Sequence, residues 1–120
     1  MSNEIIIIDD EQIVCTMCKK VLEAEGYQVE TFTDSVQALE RIKEKRFDVV
    51  ITDLKMENVD GMDILREVNN RFPDTKVIML TAYATLDAAI DAIREKIFDF
   101  FPKPVKIDEL KRAIKKALEG

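Results

Sequence analysis

The 120-residue chain has no histidine and only two cysteines, Cys15 and Cys18. A structural zinc site needs about four ligands, mostly cysteine or histidine, so this chain argues against that class of metal centre. Nor does it need a disulfide framework, because a chain that is 47% hydrophobic can bury one core unaided. Its apolar runs fall far short of the ~20 residues required of a membrane-spanning helix. Its first residues, Met1-Ser2-Asn3-Glu4, lack the basic region of a secretory signal. Positive charge is not in excess either. A net charge of −6 disfavours sequence-independent nucleic-acid binding, which depends on neutralising phosphates. No internal repeat, low-complexity tract or interdomain linker is visible. The expectation is one soluble, cytoplasmic domain over residues 1–120, with no direct nucleic-acid or membrane contact.

Charge is nevertheless uneven. Residues 101 to 120 carry Lys103, Lys106, Lys111, Arg112, Lys115 and Lys116 against Asp108, Glu109 and Glu119, a local balance of +3. Basic side chains near a helix C-terminus are favourable on a solvated face. The two cysteines form Cys15-Thr16-Met17-Cys18, a spacing that can mark a redox pair. A redox dithiol usually sits at a helix N-terminus, where its pKa is lowered. Here Val14, Met17, Cys18, Val21 and Leu22 form an apolar stripe that puts the pair a turn into a helix. Buried structural thiols are the expectation.

Apolar periodicity alternates along the chain. Ile5–Ile8 reads as a strand covered on both faces. Helical spacing follows from Glu11 to about Glu25 and stops at Gly26, a natural residue beyond a helix end. Val29–Phe32 is a short strand, and Ser35 can cap a helix to about Lys45 with Val36, Leu39 and Ile42 inward. Val49–Thr52 is the next strand. A helix carrying Met62, Ile64, Leu65 and Val68 then closes near Pro73. Val77–Leu80 is a fourth strand, Leu86 to about Lys96 a helix with Ala89, Ile90 and Ile93 inward, and Ile97–Phe101 a fifth strand. Asp108 can cap a last helix that buries Leu110, Ala113, Ile114 and Ala117. Five strands alternating with five helices predict an α/β fold: a doubly wound parallel sheet with helices on both faces. Ligands of such folds collect at the carboxyl ends of the strands.

The isoleucine run therefore delivers Asp9 and Asp10 to that rim, and the third strand delivers Asp53. Thr81 ends the fourth strand, and Lys103 follows the fifth. Crowded carboxylates favour a hard divalent cation such as Mg²⁺. An ammonium and a hydroxyl aimed at the same point suit phosphoryl oxygens, and a central aspartate can attack phosphorus. Each residue alone also has a plainer reading. Asp9 and Asp10 suit a helix N-cap, Asp53 a loop, Thr81 a cap, and Lys103-Pro104 a turn.

The segments "IIDDE" (Ile7–Glu11), "DVVITDLKM" (Asp48–Met56), "DG" (Asp60-Gly61), "VIMLTAYATLDAAIDAI" (Val77–Ile93) and "FDFFPKP" (Phe98–Pro104) together resemble the receiver (response regulator) domain of two-component signalling over essentially the full length. The resemblance implies a flavodoxin-like sheet of order 2-1-3-4-5. It implies Asp53 as phosphoacceptor, Asp10 as direct Mg²⁺ ligand, Asp9 acting beside it through water, and the Lys55 backbone carbonyl as a further ligand. Lys103 and Thr81 would engage phosphoryl oxygens, and Phe100 would be the aromatic switch partner of Thr81. Glu11 is read mainly as a helix-start residue.

The implied donor is a sensor histidine kinase or phosphotransfer protein. The implied switch is the surface of the fourth helix, fifth strand and fifth helix, which could also serve a homodimer. Such a domain promotes its own Mg²⁺-dependent phosphorylation and dephosphorylation without being a conventional turnover enzyme. "TAYATLDAAIDAI" with "FPKP" looks most like receivers of the nitrogen-regulatory class, which control transcription through output domains absent from this chain. Three features depart from the pattern: Phe100 lacks a hydroxyl, Lys96-Ile97 stands where Gly-Ala is frequent, and "MENVDG" lacks the common Pro-Gly. Two other readings remain: a degenerate receiver that only binds partners, and a redox protein using Cys15 and Cys18.

Overall fold

Ile5, Ile6, Ile7 and Ile8 are at most 1% exposed. Four β-branched side chains in succession suit a strand with helices on both faces. The computed structural model describes residues 3–120 and places the four isoleucines in β1 (Glu4–Ile8). The other strands are β2 (Gln28–Phe32), β3 (Val49–Thr52), β4 (Lys76–Thr81) and β5 (Asp99–Pro102). They alternate with α1 (Gln12–Ala24), α2 (Ser35–Glu44), α3 (Gly61–Arg71), α4 (Leu86–Arg94) and α5 (Ile107–Glu119). Every pairing is parallel and the sheet order is β2-β1-β3-β4-β5, as expected.

Alternate residues of the central strands face opposite cores. Ile5, Ile7, Val49 and Ile51 pack with Cys15, Cys18 and Leu22 of α1 and with Leu110 and Ile114 of α5. Ile6, Ile8 and Val50 pack with Ala38 and Ile42 of α2, Ile64 and Leu65 of α3, and Ala92 of α4. Both cysteines are buried free thiols, as the stripe predicts, although Met17 on the same helix is 42% exposed. Among the described residues, no helix is long and apolar enough to cross a membrane.

Local capping differs from the sequence reading in two helices. Asp34, not Ser35, caps α2, its carboxylate accepting from the Val36 and Gln37 N–H groups. Val36 points outward and Ala38 takes the buried position. Helix α5 starts after Lys106 without a side-chain cap, and Asp108 lies in its first turn. The fifth strand begins at Asp99 rather than Ile97, because Lys96 turns through φ 61° and the Ile97 N–H returns to the Ala92 carbonyl.

Helix α4 carries the largest correction. Ile90 and Ile93, expected inward, are 38% and 67% exposed, and Leu86 is 77% exposed. Ala92 and, in part, Ala88 face the core instead. Small side chains four apart let this short helix lie close to the sheet, which turns its larger side chains to solvent.

Candidate functional site

Strands β1 and β3 end side by side, with Ile8 paired to Thr52. The next residues, Asp9 and Asp53, therefore emerge together at the carboxyl edge. Main-chain bonds hold both: the Asp53 N–H donates to the Ile8 carbonyl (2.9 Å), and the Asp9 N–H to the Phe32 carbonyl (3.1 Å). Asp9 and Asp53 are buried, whereas Asp10 is exposed. Carboxylate oxygens of all three lie within 4.8 Å of one another.

Lys103 reaches this group from the end of β5. Its N–H donates to the Thr81 carbonyl (3.0 Å), and the Lys103–Pro104 peptide is cis. Its Nζ lies 2.7 Å from Asp9 Oδ2, 3.0 Å from Asp53 Oδ2 and 3.1 Å from Glu11 Oε1. Burial by itself lowers an ammonium pKa, but hydrogen bonds to Asp9, Asp53 and Glu11 outweigh it and hold Lys103 above its usual range. It is a fixed cation at neutral pH. Asp9 is raised, chiefly by desolvation, despite bonds from Lys103 and from the Glu11 N–H (2.9 Å). The two oxygens of Asp53 are already distinct, because Oδ1 accepts from the Leu54 N–H (2.7 Å) while Oδ2 faces Lys103.

Three carboxylates thus pair with a single ammonium and a fourth, Asp10, lies beside two of them, which leaves the group short of positive charge. Oxygen-only donors from a rigid sheet edge fit a hard divalent cation such as Mg²⁺. The nearby thiols do not compete for this role. The Cys15 thiol donates to the Asp9 carbonyl (3.4 Å), and burial pushes Cys18 up to about 11. Covered, protonated thiols are poor nucleophiles and poor ligands, so the redox reading loses its support.

Lys55 lies in the loop that joins β3 to α3, with its side chain exposed. The Gly61 N–H closes this loop on the Leu54 carbonyl (2.8 Å). A Cβ on Gly61 would collide with the Asp53 carbonyl oxygen, so the "DG" glycine is required by close approach to the phosphoacceptor candidate. Asp60 caps α3 in a reciprocal box with Asp63.

Thr81 stands fully buried at the end of β4, its hydroxyl accepting from the Tyr83 N–H (3.0 Å). Among the described residues it bonds to none of the carboxylates. Phe100 pairs with Met79 across the β4–β5 ladder and is half-buried against the core that holds α4. The structure therefore brings Asp9, Asp10, Asp53 and Lys103 together and holds Thr81 at the same edge. Two roles went unread in the sequence. Glu11 does start α1, yet its carboxylate also pairs with Lys103. Ser35 bonds to the loop after β3. Only the third acid of "DDE" hinted at the first, and nothing local signals the second.

Comparison with known proteins identifies the family and the fold. A family model described as "Response regulator receiver domain" matches residues 5–115. The "Transcriptional regulatory protein ZraR" of Klebsiella oxytoca is 34% identical over 115 residues, covering 96% of this chain and 26% of that protein. The chain spans about a quarter of that relative's length. A response regulator receiver domain protein from Clostridium thermocellum superposes with a TM-score of 0.91 at 40% identity, over 98% of this chain and 94% of that one. The beryllofluoride-activated NtrC4 receiver domain dimer gives a TM-score of 0.90 at 30% identity, over 97% and 96% of the two chains.

Proposed function

The chain belongs to the response regulator receiver domain family, and from that premise we propose that residues 1–120 act as one receiver domain phosphorylated on Asp53. The observation that carries the assignment is the Lys103 ammonium 3.0 Å from Asp53 Oδ2 inside a group of converging carboxylates. A sensor histidine kinase or phosphotransfer protein presents phosphohistidine. An Asp53 carboxylate oxygen attacks phosphorus, the P–N bond breaks, and the imidazole departs with the bonding pair. Asp10, Asp53 and the Lys55 carbonyl would hold Mg²⁺, with Asp9 beside it through water. Bound there, Mg²⁺ supplies positive charge for the phosphoryl oxygens.

Lys103, held cationic by its carboxylate neighbours, pairs with a phosphoryl oxygen as Asp53 loses its charge to the new bond. The Thr81 hydroxyl, which now accepts from the Tyr83 N–H, moves to donate its own proton to another phosphoryl oxygen, and the half-buried Phe100 ring follows into the space vacated. The local charge change thereby biases α4, β5 and α5 between two arrangements. Attack by water later releases inorganic phosphate and restores the carboxylate. A degenerate, binding-only receiver has little support, because Asp10, Asp53, Thr81 and Lys103 are all retained.

Tyr83, Leu86, Ile90 and Ile93 expose an apolar face on and before α4. Together with the similarity to the NtrC4 receiver dimer, this face supports a homodimer through α4-β5-α5 and transcription control through an output domain. Sedimentation before and after phosphorylation tests the dimer; an unchanged monomer would remove it. For the chemistry, the protein is incubated with Mg²⁺ and acetyl phosphate and weighed intact. A gain of one phosphoryl group is expected, lost in Asp53→Ala and with a chelator. A folded wild type that gains nothing would favour the binding-only module.

A further inference from the structure

The loop of residues 54–60 begins beside Asp53 and contains Lys55, whose carbonyl is the proposed Mg²⁺ ligand. Such a carbonyl binds well only when its loop already holds one shape, because ordering backbone at the moment of binding subtracts from affinity. Both ends of the loop are fixed. The Leu54 N–H donates to Asp53 Oδ1, and the Gly61 N–H donates to the Leu54 carbonyl. The middle is more exposed, at Lys55, Glu57 and Asn58. Asn58 also turns through φ 71°, a left-handed conformation unfavourable for most non-glycine residues.

Ser35 supports that turn from outside the loop. It is the first residue of α2 and is 4% exposed. Its hydroxyl donates to the Glu57 carbonyl at 2.5 Å and accepts, at 3.2 Å, from the Val59 N–H, which it shares with that same Glu57 carbonyl at 2.9 Å. One oxygen therefore grips the residues on either side of Asn58. The hydroxyl is free for this task because Asp34 caps the helix. Those cap bonds also fix the backbone from which Ser35 projects. Ser35 and Asn58 line the same groove as Asp10, so the clamp stands in the wall next to the carboxylates.

We propose that Ser35 is a positioning residue for the phosphorylation site: its hydroxyl sets the shape of residues 57–59 and thereby presets the Lys55 carbonyl for Mg²⁺. The assignment rests on the proposed function and adds a residue outside the loop to its metal machinery.

The test is a Mg²⁺ titration followed by amide NMR on the wild type, Ser35→Ala and Ser35→Thr. Loss of the hydroxyl should weaken Mg²⁺ binding about 5- to 10-fold, and threonine, which keeps the hydroxyl, should restore it. Phosphorylation of Ser35→Ala by acetyl phosphate should be slow at limiting Mg²⁺ and approach the wild-type rate at saturation. A merely structural role would lower thermal stability and leave the Mg²⁺ affinity alone. Wild-type affinity in folded Ser35→Ala overturns the proposal. So does unprotected hydrogen exchange at the Val59 amide of the metal-free wild type, a measurement that needs no variant to fold. A wild type that takes no Mg²⁺ would bring down the functional reading itself. A wild type that binds beside an unaffected alanine variant brings down only the role of Ser35.

Discussion

Lys103 Nζ and Asp53 Oδ2 lie 3.0 Å apart although fifty positions separate them in the chain. Neither could be placed by local structure. The parallel sheet brings them together, through the β1–β3 register on one side and the Thr81–Lys103 main-chain bond on the other. Truncation at Lys103→Ala strands Asp9 and Asp53 as buried, unpaired carboxylates. The metal-free variant should lose about 3 to 5 kcal/mol of stability, and Mg²⁺ should recover much of it. Phosphorylation at saturating Mg²⁺ should fall roughly 100-fold, the scale of losing one donor to a developing anionic oxygen. Denaturant melts with and without Mg²⁺, and acetyl phosphate kinetics, check both. An unchanged phosphorylation rate would refute the role given to the ammonium.

Asp10 is the exposed member of the acidic trio. Without metal its charge only repels its neighbours. Asp10→Ala should therefore leave the metal-free fold at least as stable as wild type. Mg²⁺ affinity should fall by at least the roughly 10-fold seen on losing an outer-shell partner. Thermal melts and Mg²⁺ titration measure the two effects. A markedly less stable metal-free variant would contradict the crowding of charge.

Gly61 has no space for a side chain, because its added Cβ meets the Asp53 carbonyl. Gly61→Ala must displace either the loop or the end of β3. A destabilisation of about 1 to 3 kcal/mol is expected, together with slower phosphorylation because Asp53 itself is shifted. A stable variant with the wild-type rate would show that the close approach is immaterial.

The Cys18 thiol, pushed up to about 11 by burial, keeps its proton in the fold after the unfolded chain has lost it. Between about pH 9 and about pH 11 the native state binds more protons, so stability falls as pH rises, by up to about 2 to 3 kcal/mol from this group. Denaturant melts should show Cys18→Ala losing less stability than wild type over that window. At pH 8 neither native thiol should react appreciably with iodoacetamide. Rapid labelling of the folded protein would revive a chemical role for the pair.

Much of this was legible in the sequence. The strands were readable because full burial demands unbroken β-branched runs such as Ile5–Ile8 and Val49–Ile51, and their carboxyl ends then pointed to Asp9, Asp10, Asp53 and Thr81. Other features depended on tertiary choices. Asp34 and Ser35 can each cap a helix, and only the folded structure shows the aspartate taking the cap while the serine hydroxyl engages the loop after β3. In α4 either the alanine or the isoleucine face satisfies helical periodicity, and the close approach to the sheet selects the alanines. The contact of Glu11 with Lys103 spans ninety-two positions and has no local signature.

The most direct test of the central claim locates the acyl phosphate. Protein treated with Mg²⁺ and acetyl phosphate is reduced with sodium borohydride, which converts an aspartyl phosphate to homoserine, and its peptides are sequenced by mass spectrometry. Homoserine should appear at position 53. Homoserine at position 9 or 10, or at none of the three in protein shown to be folded and Mg²⁺-bound, would contradict the account.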